Sequence, residues 1–360
     1  MTPKMISKSA RTSGNKTTED WKRLRELLKK DFQNQALWNE AYNDFFLERI
    51  ESRFIEPVKL IKDNRNSRMG AGFTMVAILC ILMEHLEAFY EGVIYTTGNP
   101  GLYQYKSSRD LFLRFLTTHE PFKSEFGKKD ADRFYNDVRC GLLHEAATKK
   151  DALIHKKLAG AEDTILHKGA EAFVIYRNAL LESLEKYVNI YKEELNSNEL
   201  LKRNFFRKLD ELNGVERVHY FAYGSNMSPK QMENERGVFV HSWRVSKLCD
   251  YKLTFNKKSK EGINTYANIE ADKDETVWGV LYEIDKDDFD RLHSVYEKGY
   301  NRKELTVTVD KFPSTAITFM SNSTATANPS QVYLNKIIKG ALEKKLPTKW
   351  IEYLSSVKMK

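Results

Sequence analysis

The sequence predicts a multidomain protein in which an N-terminal all-α helical bundle precedes a C-terminal α+β domain with a mixed sheet or barrel. The chain has 360 residues, more than one typical domain. Up to about residue 195, apolar residues recur at helical spacing with little Gly or Pro, and beyond residue 214 they alternate as in strands. These observations divide the chain into a polar or disordered tail, a helical bundle, a linker and the α+β domain, at residues 1–16, 17–198, 199–214 and 215–360.

Composition narrows the class of protein. With 41% hydrophobic and 30% charged residues, the chain reads as a soluble globular protein. Its three cysteines form no CxxC pair, which argues against a disulfide framework and a cysteine-based zinc site. Residues 1–20 lack the apolar core of a signal peptide, and the apolar run Ala71–Met83 is shorter than a membrane span. We therefore expect a cytoplasmic protein without a membrane partner. A net charge of +8 permits RNA as a partner without requiring it.

Helical periodicity runs through the first two hundred residues. One clear case has apolar side chains at i, i+3, i+4, i+7 and i+11, the positions of Ala131, Phe134, Tyr135, Val138 and Leu142. The pattern predicts helices at residues 18–33, 36–63, 72–94, 108–118, 128–148 and 167–195, with loops at 97–101, 120–121 and 158–163. The third and the last of these helices are apolar over wide faces, so we expect them at the centre of the bundle.

Strand alternation appears after residue 214. It predicts strands at residues 218–222, 278–284 and 305–309. Helices are predicted at residues 285–297, 330–344 and 347–356, and Asp285 is a suitable N-cap for the first of them. This half of the chain therefore mixes strands and helices, whereas the first half is predicted to be helical throughout.

The stretch from Tyr220 to Met227 is a strand that runs into a glycine turn. We expect Gly224 to turn the backbone at positive φ, which a side chain would oppose. Successive N–H groups can then converge on an anion such as a carboxylate. Taken alone, the same letters would also fit an ordinary hairpin or the start of a loop.

This stretch resembles the signature loop of the gamma-glutamylcyclotransferases, and the resemblance continues in order along the chain. Matching segments are Tyr251–Phe255 with Ser259, Ala267–Ile269, Val277–Tyr282, and a terminal helix containing Tyr333, Gly340-Ala341 and Leu346-Pro347. The resemblance implies one small α+β domain whose cavity binds a small γ-glutamyl compound, with no cofactor and no metal. The substrate-binding residues that it implies are Tyr220, Phe221, Ala222, Tyr223, Gly224, Ser225, Asn226 and Tyr333.

The chemistry that the resemblance implies is intramolecular: the substrate's own α-amine attacks its γ-carbonyl, which releases an amine and leaves 5-oxoproline. An α-ammonium must lose a proton before it attacks, and the departing amine must gain one, so a single carboxylic acid can serve both steps. Ring closure between aligned ends can reach effective molarities on the order of 10⁵ M. The γ-carbonyl oxygen also needs hydrogen-bond donors, which the sequence does not assign.

The acid–base residue implied by the family is a Glu that follows Leu-Asp at the end of the helix after the Trp-Gly strand. In this chain Leu292 takes the place of the family's Leu, and His293 replaces the Asp. The family spacing from Leu292 then leads to Tyr296, and Glu297 lies one residue later. Glu297 shares a helical stripe with Phe289 and Leu292, which predicts that it faces inward. A one-residue bulge would restore the geometry, and we take Glu297 as the catalytic residue. The alternative is a solvated Glu297 in a domain that binds without catalysis.

A second resemblance lies in the helical half. The segment Arg139–His144 resembles the Arg-x4-His motif of the HEPN superfamily, many of whose members are metal-independent ribonucleases, some of them in toxin or antiviral systems. By this resemblance Arg139 would hold a phosphate and His144 would act as general base or acid, on RNA bound in the cleft of a homodimer formed through the helical domain. Residues five apart on an α-helix point about 140° apart, so a shared site needs distortion near Gly141 or a long reach by Arg139. The alternative is a packed bundle in which His144 hydrogen-bonds internally and Arg139 pairs with Asp137 or Glu145.

Two classes of function follow. The first is an enzyme that cyclises γ-glutamyl compounds, with the helical domain used for oligomerisation or regulation. The second is a ribonuclease effector in defence, in which the cyclotransferase-like pocket senses or modifies a small molecule or partner. A binding module with neither activity is a third interpretation.

Overall fold

The computed structural model describes residues 10–63, 70–157, 163–169, 172–259, 264–323, 325 and 328–358. The chain forms two compact units, Met1–Gly214 and Val215–Lys360.

Helices make up most of the first unit. They are α1 (Thr18–Lys30), α2 (Gln35–Glu40), α3 (Glu48–Ile50), α4 (Glu56–Asp63), α5 (Ala71–Glu91), α6 (Ser108–Thr118), α7 (Lys128–Arg133), α8 (Cys140–Glu145), α9 (Arg177–Ser197) and α10 (Glu199–Leu212). Wide π-helical turns at Ala41–Leu47, Glu51–Ile55 and Phe134–Arg139 join α2 to α3, α3 to α4 and α7 to α8 without a break. The predicted helices at 36–63 and 128–148 are therefore present as continuous helical segments with local widening.

Helix α5 lies in the core of this unit. Met75, Leu79, Leu82 and Leu86 recur on its buried side, and each is at most 1% exposed. Helix α9 contributes Leu184, Tyr187 and Tyr191, which are equally buried. The prediction of two central helices is confirmed, although α9 begins at Arg177 rather than at residue 167.

Short strands correct the prediction that this unit is all-α. Besides β1 (Arg11–Ser13), β2 (Lys16–Thr17), β3 (Ile94–Tyr95) and β4 (Gln104–Tyr105), the unit contains β5 (Ala152–His155), β6 (Leu166–Lys168) and β7 (Phe173–Tyr176). Strands β5 and β7 are parallel, β6 and β7 antiparallel. All four residues of β7 are buried. A short run that is buried on every side shows no hydrophobic periodicity, so the sequence pattern cannot distinguish a strand from a helix there. Residues 158–162 of the predicted loop and 170–171 of the predicted helix lie outside the described residues.

The predicted linker at residues 199–214 is wrong over most of its length. Helix α10 occupies Glu199–Leu212, and the Asn198 side chain caps it by accepting a hydrogen bond from the Leu201 N–H at 3.1 Å. Its buried side includes Phe206, whose ring meets that of Trp21 edge-on at 5.5 Å. Much of the polar sequence that suggested a linker is buried on this helix, where Lys202 and Arg207 are 4% and 2% exposed.

The predicted polar tail at residues 1–16 is also partly structured. Strand β1 pairs with β2, and Thr17 caps α1 through a reciprocal capping box with Asp20. Residues 1–9 lie outside the described part of the chain.

Among the described residues, α5 is a helix whose length and composition would allow it to cross a membrane, so the apolar run read from Ala71–Met83 understated its length. In its most apolar stretch, 61% of the helix is buried inside the protein, and the core helix of a globular unit meets the same criteria. The expectation of no membrane partner stays a prediction.

Gly92 ends α5 in the left-handed conformation, with φ +63°. A Cβ at this position would lie 2.6 Å from the backbone Cα of Asn204 in α10. We expect Gly92→Ala to lower the free energy of unfolding of the helical unit by about 2–4 kcal/mol, because it combines a strained φ with overpacking. Urea unfolding followed by circular dichroism measures this change. Gly98→Ala is the matched control, since its Cβ would meet an ordinary contact at 3.7 Å; equal midpoints for the two variants would contradict the prediction.

The second unit is a closed barrel. Its strands are β8 (Arg217–Ala222), β9 (Val240–Lys258), β10 (Thr265–Asp285), β11 (Asn301–Val309) and β12 (Phe312–Met320), in the order β10-β8-β12-β11-β9. Neighbours are antiparallel except β12 and β8. The predicted strands are confirmed, and the segments near 267 and 278 belong to one long strand whose register shifts between Ala271 and Thr276.

Among the described residues of this unit, three α-helices complete the fold and position the site. They are α11 (Lys286–Arg291), α12 (Gln331–Glu343) and α13 (Thr348–Ser356), which confirms the predicted helices within a few residues. Helix α12 packs closely on the segment after β8, since a Cβ on Gly340 would lie 2.8 Å from the backbone N of Ser228. This close approach holds Tyr333 over the end of β8.

Candidate active site

A small cavity opens where β8 ends, with an empty volume of about 290 Å³ when the open mouth is included. Its lining residues come from the β8 loop, β10, β12, α12 and the segment after α11: Tyr220, Tyr223, Gly224, Ser225, Asn226, Ala267, Glu297, Tyr300, Phe319 and Tyr333. Six of the eight predicted substrate-binding residues are in this list. Phe221 and Ala222 are not, and both are buried in the barrel.

Gly224 does not adopt the positive φ that the sequence suggested. Its φ is −108° and its ψ is −148°. A glycine is favoured here because there is little room for a side chain: a Cβ would lie 3.3 Å from the Tyr333 hydroxyl oxygen and 3.4 Å from the Cβ of Ala267. The absence of a side chain therefore allows Tyr333 to reach the loop.

The turn after Gly224 leaves backbone donors available. The N–H groups of Met227 and Ser228 bond back to the carbonyls of Gly224 and Ser225, at 3.0 and 3.1 Å, in a single 3₁₀ turn. The N–H groups of Ser225 and Asn226 lie at the start of that turn, and no described residue accepts a hydrogen bond from them. They are the amides that could meet an anionic group in the cavity.

Asn226 connects the loop to the carboxylate. Its Nδ2 donates to Glu297 Oε1 at 2.8 Å and to the Tyr220 hydroxyl at 3.0 Å. Its Oδ1 accepts from Gln231 Nε2 at 2.7 Å, and the same Gln231 nitrogen lies 2.7 Å from Ser225 Oγ. Sequence reasoning missed Gln231, which follows the recognised loop on a π-helical turn and carries no motif of its own.

Glu297 reaches the cavity through a widened helical turn. Residues Leu292–Tyr296 are π-helical, and the Glu297 N–H bonds to the carbonyl of Leu292, five residues back, at 3.1 Å. A π turn contains one residue more than an α turn, which is the one-residue bulge that the sequence required. Glu297 is half-buried and lines the cavity, and its catalytic role stays a prediction. Tyr296, the residue that the family spacing reaches, is 37% exposed and does not line this cavity.

Burial raises the pKa of the Glu297 carboxyl above its ordinary value. The hydrogen bond from Asn226 and the positive charge of Arg236 act in the opposite direction, because both favour the carboxylate. A carboxyl whose pKa is shifted towards neutrality can both accept and return a proton. Glu297 thus lies in the cavity with a pKa that burial raises.

Two tyrosines form hydrogen bonds with the backbone of Ala267. The Tyr333 hydroxyl accepts from the Ala267 N–H at 3.1 Å, and the Tyr300 hydroxyl donates to the Ala267 carbonyl at 2.7 Å. Burial raises the pKa of both phenols, so both stay neutral hydroxyls. Tyr300 was not predicted: it follows Gly299 in a turn outside any periodic pattern.

The structure does not bring Arg139 and His144 together. Arg139 forms an ion pair with Glu84 on α5 at 2.7 Å and donates to Ser108 Oγ at 3.1 Å. His144 is exposed in the last turn of α8. The helix is widened before Arg139, over Phe134–Arg139, and is α-helical beyond it, so the two side chains keep the divergence of about 140°.

The alternative partners predicted for Arg139 are also wrong. Asp137 pairs with Lys150 at 3.0 Å, and the carboxylate that meets Arg139 comes from a neighbouring helix. Burial raises the pKa of Glu84, and the Arg139 charge opposes this shift. The pair reads as a structural contact between α5 and the helix that carries Arg139.

Comparisons with known proteins concern the second unit. Residues 276–354 match the model of the AIG2-like family. The gamma-glutamylcyclotransferases of Mus musculus and Homo sapiens are 29% and 28% identical to this chain over 148 residues, which cover 38% of this chain and 77% of each relative. A solved gamma-glutamyl cyclotransferase structure is 27% identical, covers 40% of this chain and 90% of its own, and has a TM-score of 0.37. The family model and both curated relatives support one conclusion: the second unit is a gamma-glutamylcyclotransferase-like (AIG2-like) domain.

Proposed function

We propose that the second unit cyclises a γ-glutamyl amine or peptide to 5-oxoproline and releases the amine. The observation that carries this proposal is the 2.8 Å hydrogen bond between Asn226 of the loop and Glu297, inside one cavity. The names of the curated relatives point to the same reaction.

The glutamyl head would occupy the inner cavity. Its α-carboxylate would meet the N–H groups of Ser225 and Asn226, which donate to no described residue and which start the turn beside the cavity. The Tyr333 hydroxyl already accepts a hydrogen bond from Ala267, so its own proton is available for the γ-carbonyl oxygen. These contacts would hold the α-nitrogen and the γ-carbon close enough for ring closure.

Glu297 would carry the proton. As a carboxylate it takes a proton from the α-ammonium, and the freed amine attacks the γ-carbonyl carbon to form the lactam C–N bond. The second proton lost from that nitrogen reaches solvent. Glu297 returns its proton to the departing nitrogen as the old C–N bond breaks, and the free amine is protonated by water at neutral pH. A raised pKa of Glu297 serves the second half of this cycle.

The test is the product of a simple incubation. With γ-glutamyl-alanine and the full chain, we expect 5-oxoproline and alanine in equal amounts, measured by liquid chromatography and mass spectrometry. Free glutamate would indicate hydrolysis instead. An unchanged substrate, together with unchanged γ-glutamyl-ethylamine and γ-glutamyl-glutamate, would contradict the proposal.

Ribonuclease activity, homodimer formation through the helical unit and a cytoplasmic location stay predictions. The first gains no support from the geometry, because Arg139 is held by Glu84 and His144 is exposed without a partner among the described residues.

A further inference from the structure

A second, larger chamber adjoins the inner cavity. Its empty volume is about 1040 Å³ with the open mouth included, and it shares Ser225, Glu297, Tyr300 and Tyr333 with the inner cavity. If the glutamyl head fills the inner cavity and the γ-carbonyl lies beside Glu297, the departing amine must project into this outer chamber. Its lining therefore bears on which amine can leave.

The outer chamber is strongly basic. Among the described residues that line it, one carboxylate, Glu297, faces five cations: Arg236, Lys257, Lys258, Lys298 and Lys336. These come from β9, α12 and the segments that follow two π-helical turns, so separate parts of the chain converge on one space. A concave wall with one sign of charge focuses its field on whatever enters.

Most of these cations have no acidic partner within the described part of the chain. Lys336 lies 3.8 Å from Glu235, but Arg236, Lys257, Lys258 and Lys298 make no ion pair there. Lys257 donates instead to the neutral backbone carbonyl of Lys258 at 3.3 Å. An excess of this kind around a cavity is a cost to the empty protein, and a bound anion removes it.

Arg236 is the most organised of the five. Its guanidinium carbon lies 4.1 Å from the centre of the Tyr296 ring, which fixes the plane of the group. Its Nε is buried and lacks a hydrogen-bond partner among the described residues. A guanidinium held in one plane at the wall of the chamber suits a carboxylate, which it can bind through two parallel N–H groups.

We propose that the outer chamber selects γ-glutamyl compounds whose departing amine carries two or more negative charges, such as an acidic amino acid or an acidic peptide. This inference rests on the proposed function, since it assigns the chamber to the leaving half of the substrate. One carboxylate satisfies Arg236. The lysines on the other walls then remain for a second anionic group.

The experiment compares three probes that differ in the charge of the leaving half: γ-glutamyl-alaninamide, γ-glutamyl-alanine and γ-glutamyl-glutamate. Calorimetry gives the Kd of each for the full chain, and 5-oxoproline release gives kcat/KM. We expect both affinity and kcat/KM to improve by about fivefold to tenfold with each added negative charge at low ionic strength, and the differences to shrink in 0.5 M salt. Equal values for the three probes, or a preference for the amide, would overturn the inference.

A matched pair of double variants distinguishes an effect of the chamber lysines from an effect of the protein's net charge. Lys258→Gln with Lys336→Gln should reduce the preference for γ-glutamyl-glutamate over γ-glutamyl-alaninamide by about fivefold or more. Lys303→Gln with Lys349→Gln removes the same charge from exposed positions outside the chamber and should leave the preference intact. An equal loss in both double variants would assign the effect to net charge and sink the inference. If none of the probes is cyclised, the proposed function fails. The order of the three Kd values still decides whether the outer chamber prefers a negatively charged leaving half.

Discussion

Replacing Glu297 by Gln is expected to lower kcat for 5-oxoproline release by about 10²- to 10⁴-fold, because the amide cannot accept and return the proton that ring closure requires. Binding should change far less. In the parent protein Asn226 Nδ2 lies 2.8 Å from Glu297 Oε1, and the Gln side chain keeps an oxygen that can accept this hydrogen bond. Rates at saturating γ-glutamyl-alanine, followed by mass spectrometry, give the ratio directly.

The control for this variant is Glu304→Gln on the exposed side of β11, which makes the same chemical change away from the cavity. It should retain the activity of the parent protein. Near-ultraviolet circular dichroism and Tm should show that the Glu297 variant is folded. A folded Glu297→Gln protein with undiminished kcat would remove Glu297 from the mechanism.

Replacing Asn226 by Ala is expected to produce the second large effect, a loss of about 10- to 100-fold in kcat/KM, since a hydrogen bond to a charged group contributes about 1.5–3 kcal/mol. Asn226 is a positioning residue: it holds the Glu297 carboxylate and the Tyr220 hydroxyl together. Its hydrogen bond also lowers the pKa of Glu297, against the larger effect of burial.

The pH profile distinguishes this role from a general structural defect. The reaction begins with the Glu297 carboxylate, so kcat/KM falls as pH drops through the pKa of that group. Without the Asn226 donor this pKa rises further, and the acidic limb of the profile should move to higher pH. Asn335→Ala, on the exposed side of α12, should leave the limb in place. A uniform loss at every pH, with no movement of the limb, would mean that Asn226 only supports the fold.

The barrel and its loop could be predicted because the local pattern and the tertiary environment agree. Apolar residues alternate with other residues in the segment around Tyr220 and in the segment 278–284, and these segments lie in β8 and β10 of the barrel. The extra residue before Glu297 could be counted against the family spacing, and the π turn accommodates it. Tyr333 was predicted from the resemblance alone. The close packing of Gly340 on the segment after β8 explains why Tyr333, on the same helix, lies over the loop.

Other features depend on packing that one sequence does not display. The polar residues of helix α10 suggested a linker, although several of them are buried, and its apolar side is recognised only once Trp21 packs against it. The partner of Arg139 lies 55 residues away, at Glu84, where helical spacing gives no guidance. Tyr300 joins the site through a hydrogen bond to the Ala267 carbonyl on β10, and Gln231 joins it through hydrogen bonds to the preceding loop; neither belongs to a recognisable motif.

Isotope labelling shows which nitrogen ends in the ring of the product. We would incubate the full chain with γ-glutamyl-alanine labelled with ¹⁵N at the α-amine, in water enriched in ¹⁸O, and analyse the products by mass spectrometry. Intramolecular attack predicts 5-oxoproline with ¹⁵N in its ring, unlabelled alanine and no ¹⁸O in either. Glutamate carrying ¹⁸O would show that water, and not the substrate's own amine, attacks the γ-carbonyl, and would contradict the account.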